Sequence, residues 1–309
     1  LKNSAVNISP DGTLNGSNRN VGTNSVVVGY QNTVSSQDGT IAYGANNTAD
    51  KNSALAVGNN NKATGGASIA MGVNSTASGE ASVAIGNVAE ATQIRATAVG
   101  NRATATQDSA SAFGNRANAD AQFATAIGDN SHASAAAVAV GTHANASAQD
   151  SVAVGNNSNG SGINSIAIGK DTVASKDHAL AMATEAKASG VQSIAIGSYS
   201  NASADSVVSI GQNSKAGGTV NPATGKGPGT AAVAVGYLAD ASAANTFAGG
   251  KSATATVDNA VALGVSSSAT SRNAMALGGY AAASGERAAA VGAASKASGT
   301  ASFAGGTSA

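Results

Sequence analysis

The sequence contains no cysteine, no tryptophan and only three prolines, and aromatic residues make up 3% of its 309 positions. Without cysteine there is no disulfide framework and no thiolate-ligated metal. With no tryptophan and four phenylalanines, an ordinary globular core is excluded, and burial has to come from many small repeated contacts. Charge is scarce too: Asp, Glu, Lys and Arg make up 10% of the chain, against roughly a quarter in ordinary domains. Sixteen basic residues balance sixteen acidic ones, so no field steers the chain to nucleic acid or to an anionic membrane, and neither partner is expected. No stretch approaches the roughly 18 apolar residues of a membrane helix, and residues 1–24 show no basic segment followed by an apolar run. Any targeting or anchoring part is therefore expected outside this sequence.

Of the 39 glycines, 19 recur at a nearly fixed interval. The phrase Ser82-Val83-Ala84-Ile85-Gly86, small-apolar-Ala-apolar-Gly, recurs in 20 copies, with Ala183 in the one slot where the closing Gly is missing. Successive markers are 14 residues apart except for 15 between Gly29 and Gly44, 13 between Gly128 and Gly141, and 25 between Gly211 and Gly236. A short fixed period predicts one elongated array from residue 25 to 309, preceded by a cap or lead-in over 1–24 with turns at Pro10-Asp11-Gly12 and Asn15-Gly16. The long interval reads as one repeat plus a surface loop at 217–229, which holds two of the three prolines.

The columns define the coil. Two residues before the marker the side chain is Ala in 18 of 20 copies, Val27 and Ser209 being the exceptions, and the positions on either side of it are mostly Val, Ile, Leu, Met or Phe. That alternation predicts a strand. Five residues after the marker Ala stands in 17 of 19 copies, with small residues three after it and polar or charged ones between, as in Lys62, Thr76, Glu90, Arg102, His132, Asp240 and Lys296. This is a second strand with one small and one wet face. Fourteen residues thus make two strands and two corners, one coil of an all-β parallel solenoid of about 20 coils, with the marker Gly at the first corner. From the sequence, either the Val/Ile column or the Ala column faces out of the first strand. Both are free of charge, and a long charge-free face asks for a partner, most economically another copy of the same repeat.

The segments Ser151-Val152-Ala153-Val154-Gly155, Asn164-Ser165-Ile166-Ala167-Ile168-Gly169 and Ser193-Ile194-Ala195-Ile196-Gly197, each followed by an Ala/Ser-rich half, resemble the head repeats of trimeric autotransporter adhesins, the YadA-like family of Gram-negative bacteria. The resemblance spans residues 25–309. It implies a homotrimer of left-handed parallel β-rolls, displayed at the cell surface and fixed in the outer membrane by anchor regions outside this chain. It also implies a head that attaches to extracellular-matrix proteins, host cells or abiotic surfaces by multivalent binding. The Ala column, represented by Ala70, Ala84, Ala98, Ala153, Ala167 and Ala195, is the candidate trimer contact. Collagen recognition in the family goes with Asn-Ser-Val-Ala-Ile-Gly followed by Ser. The nearest matches make Asn164, Ser165, Ile166, Ala167, Ile168, Gly169, Gln192, Ser193 and Ser200 the candidate ligand residues.

Enzymatic signals are weak. No Gly-x-Ser-x-Gly elbow precedes a helix pattern, Gly225-Lys226-Gly227 lacks the spacing of a phosphate loop, and His132, His143 and His178 read as solvated surface residues rather than metal ligands. No cofactor and no metal are expected. A hexapeptide-repeat acyltransferase would need a six-residue period and about 18 residues per coil. An ice-binding fibre would need an unbroken Thr ladder, whereas Thr33, Thr48, Thr76, Thr104 and Thr254 share a column with Lys, Glu and Asn.

Overall fold

The computed structural model describes residues 6–8, 18–20, 24–35, 38–218 and 230–309. The two lead-in turns and residues 219–229 of the loop lie outside the described residues. The chain is an all-β parallel solenoid of about 19 turns, since 20 markers bound 19 intervals. It divides into two compact units, Leu1–Gln149 and Asp150–Ala309. In each unit a longer strand before the marker and a two-residue strand after it stack on their counterparts in the next coil. Val83, Ala84 and Ile85 pair with Ile69, Ala70 and Met71 on one side and with Thr97, Ala98 and Val99 on the other. In the second unit Val208, Ser209 and Ile210 pair with Val233, Ala234 and Val235. The 25-residue interval therefore leaves the register intact, because its two flanking coils are direct neighbours.

The interior is made mostly of methyl groups. Ala84, Ala89 and Ala91 are wholly buried, as are the same columns in neighbouring coils, for example Ala98, Ala103 and Ala105. Only side chains this small let two sheets lie so close, and each buried methyl contributes about 0.8 kcal/mol. The odd polar residue in the Ala column, Ser209, is satisfied by Ser214 across the roll, with the two hydroxyls 2.7 Å apart.

This burial settles which way the first strand is turned and corrects the interface expectation. Ala70, Ala84, Ala98, Ala153, Ala167 and Ala195 have no exposed surface within a single chain. They fill the roll and cannot touch a partner; the Val/Ile columns beside them face outward.

The marker Gly is required on two counts. Gly86 has φ of 149°, and a Cβ there would sit 2.1 Å from the carbonyl oxygen of Gly100 in the next coil. Ala183 occupies the same position with φ of 95°, a conformation that strains an L side chain. Ala183→Gly is expected to raise stability by about 1 kcal/mol, the relief of about 1–2 kcal/mol of left-handed strain offset in part by the added freedom of the unfolded chain. A higher urea midpoint would show this, whereas a lower one would mean that the Ala183 methyl is well packed.

Two features of the corners were not legible beforehand. The left-handed residues of each coil are not glycines alone: Val88 and Arg95, Arg102 and Ser109, Asn157 and Asn164 all have φ between 54° and 57°. In the second corner, where the sequence points to an occasional glycine such as Gly79, it is Arg95 or Asn164 that makes the turn. The first coils also contain a buried ladder of amides. Asn47 donates through Nδ2 to Asn32 Oδ1 at 3.0 Å, to the Tyr43 carbonyl at 3.1 Å and to the Gly58 carbonyl at 2.8 Å, and Asn61 repeats the pattern on Asn47, Val57 and Gly72. Its signal was there, since Asn32, Asn47 and Asn61 stand one repeat apart in the small column.

These amides change the local strand. In the Asn coils the backbone N–H of Asn47 is taken by Asn32 Oδ1 at 3.0 Å, and the chain runs extended through the marker, as in Ile41–Ala45 and Leu55–Asn59. The Asn61 amide does the same for Ser75, whose N–H it takes at 2.9 Å after the strand Ile69–Val73, whereas further along the N–H of Ser131 turns back on its own marker, Gly128, at 3.4 Å and the strand is the shorter Thr125–Ile127.

Candidate functional site

Among the described residues the roll offers its faces and corners. The outward columns of the longer strand are uncharged throughout. In the first unit they include Ile41, Tyr43, Phe113 and Ile127, and in the second Ile166, Ile210, Phe247 and Leu263, all exposed for their size. The outward column of the short strand has the opposite chemistry, with Lys62, Thr76 and Glu90 in the first unit and Lys187, Asn201 and Lys215 in the second. One face therefore stays wet and the other is left unpartnered.

The predicted ligand residues do not form one surface. Ser165, Ala167, Ser193 and Ser200 are wholly buried, which removes them as ligand contacts, since their side chains point into the roll. Ile166 and Ile168 stand on the uncharged face, and Gly169 is the corner itself with φ of 133°. Asn164 and Gln192 are exposed at the second corner, both with positive φ. The motif thus describes a coil more than a binding site.

Surface carboxylates tie coils together. Asp108 accepts from the Ile94 N–H at 3.2 Å, Asp177 from Ile163 at 3.0 Å and Asp205 from Val191 at 2.8 Å, each from one coil to the next. His132 belongs to a similar tie. Its Nε2 is 2.9 Å from Asp120 Oδ2 and 3.2 Å from Ser134 Oγ, its Nδ1 is 3.0 Å from Asn145 Oδ1, and the Ser134 hydroxyl donates to Asp120 at 2.6 Å. A hydrolytic relay puts carboxylate and nucleophile on opposite ring nitrogens. Here they share one, so the cluster cross-links coils and lacks the relay. Among the described residues no three His, Cys, Asp or Glu side chains come together as a metal site would require.

Partial burial alone would push the His132 imidazole down, but hydrogen bonds to Asp120 and Asn145 and the charge of Asp120 hold its pKa above the ordinary 6.5. For Asp120, partial burial is outweighed by hydrogen bonds from Ser134 and His132 and by the imidazolium charge, so its pKa lies below 3.8. The raised histidine stabilises the fold fully below its unfolded value and loses that contribution as pH rises through the raised one. The lowered carboxylate contributes above its unfolded value and loses it as pH falls through the lowered one. Both side chains are about a third or more exposed, so solvent screening limits the pair to roughly 0.3–1 kcal/mol. Asp120→Asn is expected to destabilise the chain more near about pH 5 than near about pH 9, by roughly 0.3–1 kcal/mol, because the imidazolium charge is lost at the higher pH while the Ser134 hydrogen bond to the carboxylate is present at both. Urea titrations at the two pH values check this, and an equal loss at both would remove the ion pair as its source.

Compared with known protein families, the chain matches the YadA head domain repeat over residues 21–47, 49–72, 63–89, 91–117, 105–131, 119–137, 135–158, 161–182, 188–214, 255–281 and 283–309. A search of curated proteins found no match.

Proposed function

The chain belongs to the YadA head family, an adhesin family of Gram-negative cell surfaces, and from that membership we propose that it is the head of a trimeric autotransporter adhesin. In this reading three copies pack as left-handed rolls through the uncharged outward columns of the longer strand, and the polar face and corners meet the target. The observation that carries it is the contrast between those two faces in each unit. An apolar column with the period of the coil is matched by a second copy of itself, which has the same period by construction. The target is an extracellular-matrix protein, a host cell or an abiotic surface, held by many weak equivalent contacts whose avidity is multiplied across coils and chains. The family is typically non-enzymatic, in keeping with a surface of repeated shallow positions.

Light scattering is expected to give a mass three times the chain's 29.1 kDa; a monodisperse single chain would overturn the assembly. In a solid-phase panel of collagens, fibronectin, laminin and plastic, at least one surface is expected to retain the protein. Retention by none would overturn adhesion.

A further inference from the structure

One interval in the first unit falls short, and the shortage has a single place. Gly128 and Gly141 are 13 residues apart, yet His132 pairs in register with Asn118 and Val138 with Thr125. The missing residue therefore comes out of the second corner. Ala121, Gln122 and Phe123 turn the coil before, whereas Ala135 and Ala136 alone turn this one. The preceding corners each use one left-handed residue, Arg95, Ser109 or Phe123. Ala135 and Ala136 are left-handed in succession, with φ of 46° and 61°, a conformation that strains each of them.

The short corner also lacks a tie that its neighbours have. The N–H of Arg95 donates to the Glu80 carbonyl at 2.8 Å, that of Ser109 to Ile94 at 2.8 Å and that of Phe123 to Asp108 at 3.2 Å, so each of these corners hangs on the one before. Among the described residues no such bond leaves Ala135 or Ala136. Strand bonds flank the turn, from the Asp120 N–H to the Ala133 carbonyl at 3.2 Å and from the Thr125 N–H to the Ala137 carbonyl at 2.9 Å. Between them the link to the coil before is made by side chains: the Ser134 hydroxyl donates to Asp120 Oδ1 at 2.6 Å, and His132 Nε2 lies 2.9 Å from Asp120 Oδ2.

We propose that this corner is a gated weak point of the first unit, held shut by the clasp of Asp120, His132 and Ser134 and opening more often once His132 has lost its proton. The groups set around the imidazole are Asn118 and Asp120 from the coil before, Asn145 from the coil after and Ser134 from its own coil. Asp120 is the one charged partner among them, so nothing replaces the attraction that leaves with the proton. His132 is held above 6.5 and Asp120 below 3.8. The histidine's contribution is therefore complete below its unfolded value and lost as pH rises through the raised one, and the carboxylate's is complete above its unfolded value and lost as pH falls through the lowered one. The clasp is tightest between the two unfolded values and loosens above them, where the Ser134 bond to the carboxylate remains. An open corner uncovers Ala133 and Ala137, both wholly buried when it is shut, so the roll yields here before it yields in the neighbouring coils. Every part of the gate lies within one chain, and it does not rest on the adhesin reading.

The test is amide exchange of the full chain, read by mass spectrometry near about pH 5.5 and about pH 9 as protection corrected for intrinsic exchange rates. Residues 125–137 are expected to be less protected than 97–110, the same stretch of an ordinary coil. At the higher pH they lose a further factor of about two to five, while 97–110 is unchanged. His132→Gln is expected to hold 125–137 at its high-pH level at both values. One glycine inserted between Ala135 and Ala136 restores the 14-residue interval and is expected to bring the protection of 125–137 up to that of 97–110. Equal protection of the two stretches in the wild-type chain, a pH response shared by both, or one that survives in His132→Gln would each overturn the gate. Low protection persisting in the insertion variant, with circular dichroism unchanged, would overturn the short corner as its cause. If that variant does not fold, the wild-type and His132→Gln measurements decide.

Discussion

Ala84→Glu is expected to melt the coils around residue 84. Ala84 has no exposed surface, lies in register between Ala70 and Ala98, and packs in a column of methyl groups. A carboxylate there has no counter-ion within the roll, and its added atoms have no room between sheets held apart by Ala alone. Together these cost more than about 4 kcal/mol. Because each coil touches only its neighbours, the damage is expected to spread by nearest-neighbour coupling. Amide exchange should lose protection in the coils ending at Gly72, Gly86 and Gly100, with a large fall in the urea midpoint. A variant that folds with wild-type protection would show that the column is not the interior.

Val83→Glu combined with Ile85→Glu, at the two residues that flank Ala84, is expected to give the contrary result. Both side chains are half-buried and face outward in a single chain. Replacing them leaves the methyl core untouched, so the isolated roll is expected to keep its circular dichroism and lose no more than about 1 kcal/mol. In the proposed homotrimer, however, six carboxylates would be buried at one level without partners. An association weakened by more than about a thousandfold follows from a penalty of about 4 kcal/mol. Light scattering over a range of concentrations reads the change from trimer to single chain. A trimer that persists would mean that the uncharged columns do not carry the assembly. Two adjacent positions thus separate folding from association, a distinction that hinges on which way one strand is turned.

Much of the coil was legible in advance because its signals are local. Alternation before the marker predicts the strand of Val83, Ala84 and Ile85, and the marker predicts the corner, since Gly86 adopts a φ that L side chains avoid. The intact register across residues 217–229 follows from the return of the 14-residue period at Gly236. The candidate site was less legible. Ser165, Ser193 and Ser200 share a motif with Asn164 and Gln192, but the motif is silent about inside and outside, and the serines are buried. The tie from His132 to Asp120, Ser134 and Asn145 spans three coils. Spacing along the chain names such columns without saying which residues in them meet.

By itself, then, the sequence determined the repeat, the all-β parallel solenoid, the Gly corner and the family. All of these follow from the order of side-chain sizes along one coil. Only the tertiary structure decided that Ala fills the roll while Val and Ile face outward, that buried amides of Asn32, Asn47 and Asn61 lengthen the first strands, and that left-handed corners are held by residues such as Arg95. The physical reason is the thinness of the roll. Both columns of the first strand are apolar, so hydrophobicity cannot choose between them, and the choice falls to the volume left between two sheets once they are stacked.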